Sequence, residues 1–323
     1  MLHRRTLLAA PFGATLAAPA LAQGAWPNRP VKVIVGFPPG GSLDVMTRLA
    51  AEQMTQRLGQ SFVVETRSGA SGNIGAEAIA RATPDGYTIG TISMHNLVIN
   101  PLLFTRLPFD PQKDFQWISQ MWDLPNVCVV PTSVPATTLA EFIAWAKARP
   151  GGVSYGSSGV GTTIHLSGAY LLEKNGIQGT HVAFRGAAQT IPALLSGDLQ
   201  MAVDNLASYT GVIAEGRLRA LAVTMPERWP ALPNVPTMAE AGMADFNVSP
   251  WHLWAGPAGM PREIADKLSA EVRAAWANPA LQQRAIEMGA RLTGSTPEHL
   301  GARLVREQPK WAEMVRISGA QPE

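Results

Sequence analysis

Val31-Lys-Val-Ile-Val-Gly-Phe-Pro-Pro-Gly-Gly-Ser-Leu-Asp44 decides the reading of this chain. The β-branched run Val31 to Val35 predicts a buried strand, broken at Gly36. Pro38, Pro39, Gly40 and Gly41 make a turn, and Ser42 is the expected helix N-cap. After it Val45 and Leu49 pair at helical spacing, as do Met46, Ala50, Met54 and Leu58, and Gly59 supplies the stop. A strand, a glycine-rich turn and a capped helix aim free N–H groups and a positive dipole end at one point. That arrangement suits an anion such as a carboxylate. An ordinary βα turn that binds nothing has the same pattern, so this stretch alone leaves both readings open.

The segments that follow repeat the order. Strand Ser61–Glu65, a short helix capped by Asn73, and strand Tyr87–Ile92 make a parallel α/β sheet. Ligands in such sheets sit beyond the carboxyl ends of the strands, which here are the Pro38–Ser42 and Ser93–Asn96 turns. Residues 101 to 126 carry prolines and large aromatics and read as anchored, irregular chain. Val127 to Val130 is the first crossing into a second domain, and Thr138-Leu-Ala-Glu141 is a capping box. Gly156-Ser-Ser-Gly-Val-Gly-Thr-Thr-Ile-His165 then has the opening's grammar with hydroxyls added. Two such turns on two domains give two half-sites for one anion. Asn247 to Ala255 contains the crossing back. The last helices read as scaffold.

The chain opens with Arg4 and Arg5, an apolar run from Leu7 to Ala18, and Ala20-Leu-Ala22, which together predict a signal peptide over residues 1–22. Either a Sec or a twin-arginine signal fits. Removing it takes two of the 26 basic residues and none of the 24 acidic ones, leaving 24 of each and no formal net charge. A balanced chain offers no footprint to nucleic acid or to an anionic membrane surface. Nothing after residue 22 is apolar for long enough to span a bilayer, so a soluble, exported protein is expected. Cys128, the single cysteine, lies in an apolar run and reads as a small buried hydrophobe. No Cys/His spacing suits a metal, and no nucleotide or cofactor motif is present.

Gly152-Val-Ser-Tyr-Gly156 matches the nucleophile elbow G-x-S-x-G, with His165, Asp198 and Asp204 after it. An elbow puts its serine on the turn between strand and helix, whereas Ser154 falls inside the predicted strand. The acid must also precede the histidine, and here both aspartates follow. A secreted hydrolase using Ser154 is therefore the disfavoured alternative. His165, one helical turn from Thr162, is better suited to order the loop. Asp204 ends a strand, where it either accepts from a ligand ammonium or hydroxyl, or caps the next helix.

Phe37-Pro-Pro-Gly-Gly-Ser-Leu-Asp44, Gly72-Asn-Ile-Gly75 and Pro84-Asp-Gly-Tyr87 resemble the Bug family, the TctC-type periplasmic solute-binding proteins of tripartite tricarboxylate transporters. Asn100-Pro101, Ser157-Ser-Gly-Val-Gly-Thr162 with His165, Leu218–Val223, Leu232–Thr237 and Ala255–Gly259 fit as well, in the right order from Pro27 onward. The resemblance implies an α/β, type II periplasmic-binding-protein fold: two α/β domains joined by crossing strands, with a ligand cleft between them. It places one domain at 23–124 with 248–323 and the other at 125–247. It also implies a small carboxylate held by backbone N–H groups, hydroxyls and ordered water.

Carried across by position, the contacts come from Pro39, Gly41, Ser42 and Asp44 on the first domain and from Ser158, Gly161, Thr162 and Asp204 on the second. Phe37, His95, Asn96, Ser157 and Arg185 complete the candidate set. Two of these stand where the chain departs from the family pattern: Asn96 where alanine often follows the histidine, and Arg185 within Phe-Arg-Gly where Tyr-Lys-Gly is common. The implied role is that of a monomeric periplasmic receptor, not an enzyme, which closes on an organic carboxylate and delivers it to a membrane permease. A sensor feeding a signalling partner and a binder of aromatic solutes are the other readings. For the latter the relevant residues are Trp122, Trp251 and Trp254, which are expected to pack near the hinge.

Overall fold

A computed structural model of the chain describes residues 26–246 and 248–320. The expected signal peptide lies outside the described residues. Among the described residues eleven strands form two sheets: β1 (Val31–Val35), β2 (Phe62–Thr66), β3 (Thr88–Ser93), β4 (Phe115–Asp123), β5 (Asn126–Pro131), β6 (Val153–Ser157), β7 (Gly179–Ala183), β8 (Met201–Asn205), β9 (Leu218–Val223), β10 (Trp251–Pro257) and β11 (Arg291–Leu292). The six-stranded sheet runs β11-β4-β10-β3-β1-β2, and the five-stranded sheet β7-β6-β8-β5-β9.

In the first sheet β1 pairs in parallel with β2 and β3, as the alternating strands and helices predict. The rest is antiparallel, because β10 returns from the other sheet to lie between β3 and β4. The sheet is therefore mixed. β4 also corrects the expectation that residues 101–126 are wholly irregular. Its Phe115, Ile118, Met121 and Trp122 are buried, and its neighbours β10 and β11 come from far along the chain. Strand signals weaken where both faces of a strand are covered.

Helix Ser42–Leu58 lays Met46, Leu49, Ala50 and Met54 against the valines of β1. Met46, Leu49 and Met54 each contribute roughly 1.5–3 kcal/mol through burial, and the Ala50 methyl less. The helix starts one residue away from the expected place, since the N-cap is Gly41 and Ser42 is the first helical residue. Asn73 is likewise not a cap. It opens helix Asn73–Ala80 after Gly72, and its Oδ1 accepts from Asn96 Nδ2 (3.0 Å) and Asn100 Nδ2 (2.8 Å). The capping box at Thr138 and Glu141 forms with both of its bonds. Gly75 is required by packing, because a Cβ there would come within 2.5 Å of the Gly36 Cα.

Two connections join the sheets, one short and one long. β4 ends at Asp123 and β5 starts at Asn126, while the chain leaves β9 at Val223 and re-enters the first sheet at Trp251. The two connections bond to one another through Leu124 N to Pro250 O (2.8 Å) and Thr224 Oγ1 to Val248 O (2.5 Å). The C-terminal helix Pro297–Ser318 clasps them. Its Glu307 accepts from the Trp251 and Trp311 indoles, and its Arg303 pairs with Asp123 and Glu307. Trp122 and Trp251 are buried beside these connections, and Trp254 is stacked on Phe62 inside the first lobe.

Candidate functional site

Between the lobes lies a cavity of about 340 Å³, walled by the carboxyl ends of strands from both sheets. That is within the ~300–1,000 Å³ usual for small-molecule sites. From the first lobe come Phe37, Pro39, Gly41 and Ser42 at the end of β1, with His95 beyond β3. From the second come Ser158, Thr162, Arg185 and Asp204. The two jaws read from the sequence thus meet at one space.

Asp44, Asn96, Ser157 and Gly161 are not in its wall, and each is occupied elsewhere. Asp44 bends back to accept from Gly40 N and Arg48 Nε, both at 3.0 Å, and so braces the first turn from behind. The Asn96 amide donates to Ser71 O and Asn73 Oδ1. Gly161 faces Asn100, whose Oδ1 a Cβ would meet at 2.8 Å, and donates its N–H to His165 Nδ1.

Ser157 Oγ contacts His181 Nε2 at 2.6 Å and accepts from Gly159 N at 3.1 Å. Behind the same loop the His165 ring stacks on His181 with centroids 3.9 Å apart. Burial, with His181 adding to it, holds His165 down at about 3, and burial alone holds His181 at about 4. Both are neutral props for the glycine loop, the role expected of His165.

The N-termini of three helices of ten residues or more open on the cavity, beside the five-residue helix Met94–Val98 whose N-cap Ser93 and His95 also line it. Helix Ser42–Leu58 has no side-chain cap, and Thr162 Oγ1 caps helix Thr163–Lys174 by accepting from His165 N at 3.2 Å. Helix Ala187–Ser196 follows Gly186, and its Ala187 and Ala188 line the space with Gln189. The sequence reading set Phe184-Arg185-Gly186 at the cleft only as a departure from the family pattern, and did not read Arg185-Gly-Ala187 after its strand as a third turn of the same kind. The N–H groups of Leu43, Thr163, Ile164, Ala187 and Ala188 take no partner among the described residues. Arg185 is the one Lys or Arg among the described lining residues. It makes no ion pair there.

Asp204 accepts from Asn205 N (2.6 Å) and Tyr209 OH (3.0 Å). Burial pushes it up to about 6, against the opposing effect of those two bonds. Burial lowers His95 to about 4, and burial together with nearby His95 lowers His252 to about 3. Ser93, from a turn expected at the cleft, lines it too, and His252, Asn205 and Ser208 are lining residues that the sequence did not single out. Two of them reach across the cleft: Ser42 N donates to Ser208 Oγ (3.2 Å), and Asn205 Nδ2 donates to Ser42 Oγ (3.1 Å). Outside the cavity Ser71 Oγ also crosses, donating to Val160 O at 2.7 Å. The lobes are held closed.

This arrangement is fitted to hold an anion, not to attack one. Ser154 lies inside β6 with its N–H on Gln200 Oε1, so it forms no elbow. The Ser157–His181 contact faces away from the cavity. Among the described residues no cluster of His, Cys, Asp and Glu could hold a metal ion. No helix there is long and apolar enough to cross a membrane.

Residues 46–315 match the model of the tripartite tricarboxylate transporter family receptor. Protein BugT of Bordetella pertussis is 33% identical over 308 residues, 95% of this chain and 94% of that protein. Among solved structures, R. palustris Rpa4515 with adipate has a TM-score of 0.89 at 33% identity, covering 92% of this chain and 100% of that one. MatC from Rhodopseudomonas palustris with bound malate has a TM-score of 0.84 at 28% identity, covering 90% and 100%. With that match and those relatives, the chain belongs to the tripartite tricarboxylate transporter receptors of the Bug type, which are two-domain periplasmic binding proteins and not enzymes.

Proposed function

We propose that this protein captures a small organic carboxylate between its lobes and delivers it to a tripartite permease. One observation carries the reading: three helix N-termini and a lone arginine open on one cavity between the two sheets. Unpaired N–H groups at helix starts are donors for carboxylate oxygens, and the dipoles favour negative charge. Adipate and malate in the neighbouring structures are carboxylates of suitable size. The lobes are taken as 23–124 with 248–323, and 125–247. An open form meets the ligand with one lobe, and closure adds the other lobe's donors and expels water. Residues 1–22 serve as the cleaved export signal, and the mature receptor works as a monomer. The direct contacts are assigned to Phe37, Pro39, Gly41, Ser42, His95, Ser158, Thr162, Arg185 and Asp204. Asp44, Asn96, Ser157 and Gly161 support them from behind.

A thermal-shift panel of dicarboxylates, tricarboxylates, aromatic acids, amino acids and neutral solutes tests this. A ligand at a hundredfold excess over its Kd adds about 2.7 kcal/mol of stability. The reading fails if a neutral solute raises the melt and no carboxylate does. Delivery is tested separately, by loss of carboxylate uptake in cells when this chain alone is deleted.

A further inference from the structure

We propose that His95 and His252 form a hydroxyl-recognition pair, so that the ligand is a hydroxy-substituted carboxylate rather than a plain one. This rests on the reading of the cleft as a carboxylate site. β3 and β10 run antiparallel with Ser93 opposite His252, and His95 lies two residues beyond that pair. Both imidazoles line the cavity and are almost fully enclosed, at 3% and 1% exposure.

Their proton positions follow from their partners. His95 Nε2 sits 3.0 Å from Ser71 O, and a carbonyl only accepts, so the proton is on Nε2. Nδ1 of His95 is left as a lone pair with no partner among the described residues. The His252 ring lies against Trp122 at 6.2 Å, and its Nδ1 is buried with no partner. An enclosed N–H without an acceptor is costlier than an enclosed lone pair, which puts the His252 proton on Nε2. Burial keeps both rings uncharged at neutral pH. One wall of the cavity therefore offers one acceptor and one donor side by side, with no net charge.

An ionised carboxylate only accepts, and it meets the His95 lone pair unfavourably. A hydroxyl does both: it donates to His95 Nδ1 and accepts from His252 Nε2. The carboxylate of the same molecule is left to the helix N-termini on the other sides. A site built to bond a hydroxyl rejects the analogue that lacks it, because its polar groups are then left unpaired.

The test is calorimetric titration of the purified protein at pH 7 with matched pairs: malate and succinate, citrate and tricarballylate, and mandelate and phenylacetate, with adipate as a further plain acid. In any pair that binds, the hydroxy acid should bind at least tenfold tighter. His252→Phe should bring that ratio near one, and the ratio rather than either acid's own Kd is the readout. His252→Gln, which keeps a donor, should retain part of the preference and serves if the phenylalanine variant does not fold. Equal or tighter binding of the plain member, binding of adipate alone, or a preference that survives His252→Phe overturns the pair. If no carboxylate binds at all, the carboxylate reading itself falls.

Discussion

Ser71→Ala tests closure with one atom. Ser71 belongs to the first lobe, and its hydroxyl donates across the cleft to Val160 O at 2.7 Å. It does not line the ligand cavity, so its loss removes no ligand contact. Ser71 sits at φ 53°, and alanine keeps the same Cβ, so the local backbone cost is unchanged. Its carbonyl, which accepts from His95 and Asn96, is untouched. The deleted bond is worth about 1 kcal/mol, within a range of about 0.5–1.5. In the open protein both groups bond to water, so the loss falls on the closed form alone. About 1 kcal/mol is roughly a fivefold change in an equilibrium constant, and it appears in full in Kd when the free protein is mostly open. Calorimetry with whichever acid the melt panel identifies should give a Kd about fivefold weaker. If the ligand-free protein in solution is open, as proposed, its melting temperature should stay within about 1 °C. An unchanged Kd with a lowered ligand-free melt would refute the reasoning, because the bond would then belong to a single rigid body.

Thr163→Pro removes one cavity N–H at the first position of its helix, where proline is tolerated. Thr162 before it is already extended at φ −71°, ψ 155°, as a residue preceding proline must be. Affinity should fall about tenfold or more for a lost bond to a charged group, with stability nearly unchanged by urea titration. Asp204→Asn should alter the pH profile of stability. A carboxyl at about 6 when folded and 3.8 otherwise binds more protons in the native state, so its contribution falls as pH rises between those values. The variant's stability relative to wild type should therefore increase from pH 4 to pH 6, by roughly 3 kcal/mol at most. A flat difference would show that the carboxyl is not shifted. The buried histidines act in the opposite direction. His95, His165, His181 and His252 resist protonation when folded, so wild type should lose stability as pH falls from 6.5 through 4. Glu307→Leu strips Arg303 of one partner and two indoles of their acceptor, and should cost about 3 kcal/mol or more. Arg303→Met with Glu307→Leu should be milder, and equal damage would count against a buried-charge penalty.

Much of the site was legible because it is built from local grammar. Strand, glycine turn and helix start are contiguous in sequence, so β1 with Phe37–Ser42 and β6 with Ser158–Thr162 could be read without knowing the fold. The same grammar misplaced details that depend on who arrives from elsewhere. Ser42 looked like a cap, yet its hydroxyl meets Asn205, 163 residues away, and Gly41 takes the cap position. Asp44 and Gly161 belong to the right motifs, but Asp44 bends back onto its own turn and Gly161 faces Asn100 while its N–H goes to His165. His252 was not found because it lies within a strand, and nothing in Trp251-His-Leu-Trp254 tells that its ring ends beside His95. Strand β4 was missed for a related reason, its partners β10 and β11 being supplied from more than a hundred residues further on.

The division of labour in the cleft follows from the same geometry. A single arginine and a single aspartate among the lining residues leave little fixed charge to attract or sort anions. Affinity for a carboxylate then comes mainly from helix starts, whose N–H groups belong to the backbone and survive most side-chain changes. Thr162 caps its helix through the His165 amide, which leaves the earlier amides of Thr163 and Ile164 without a partner. Such donors accept any carboxylate that fits and distinguish poorly between them. Discrimination must come from wall side chains rather than backbone amides, above all Ser93 and His95 at the start of helix Met94–Val98 and His252 at the start of β10. Exchanging those residues should change which acid is bound while leaving intact the ability to bind an acid.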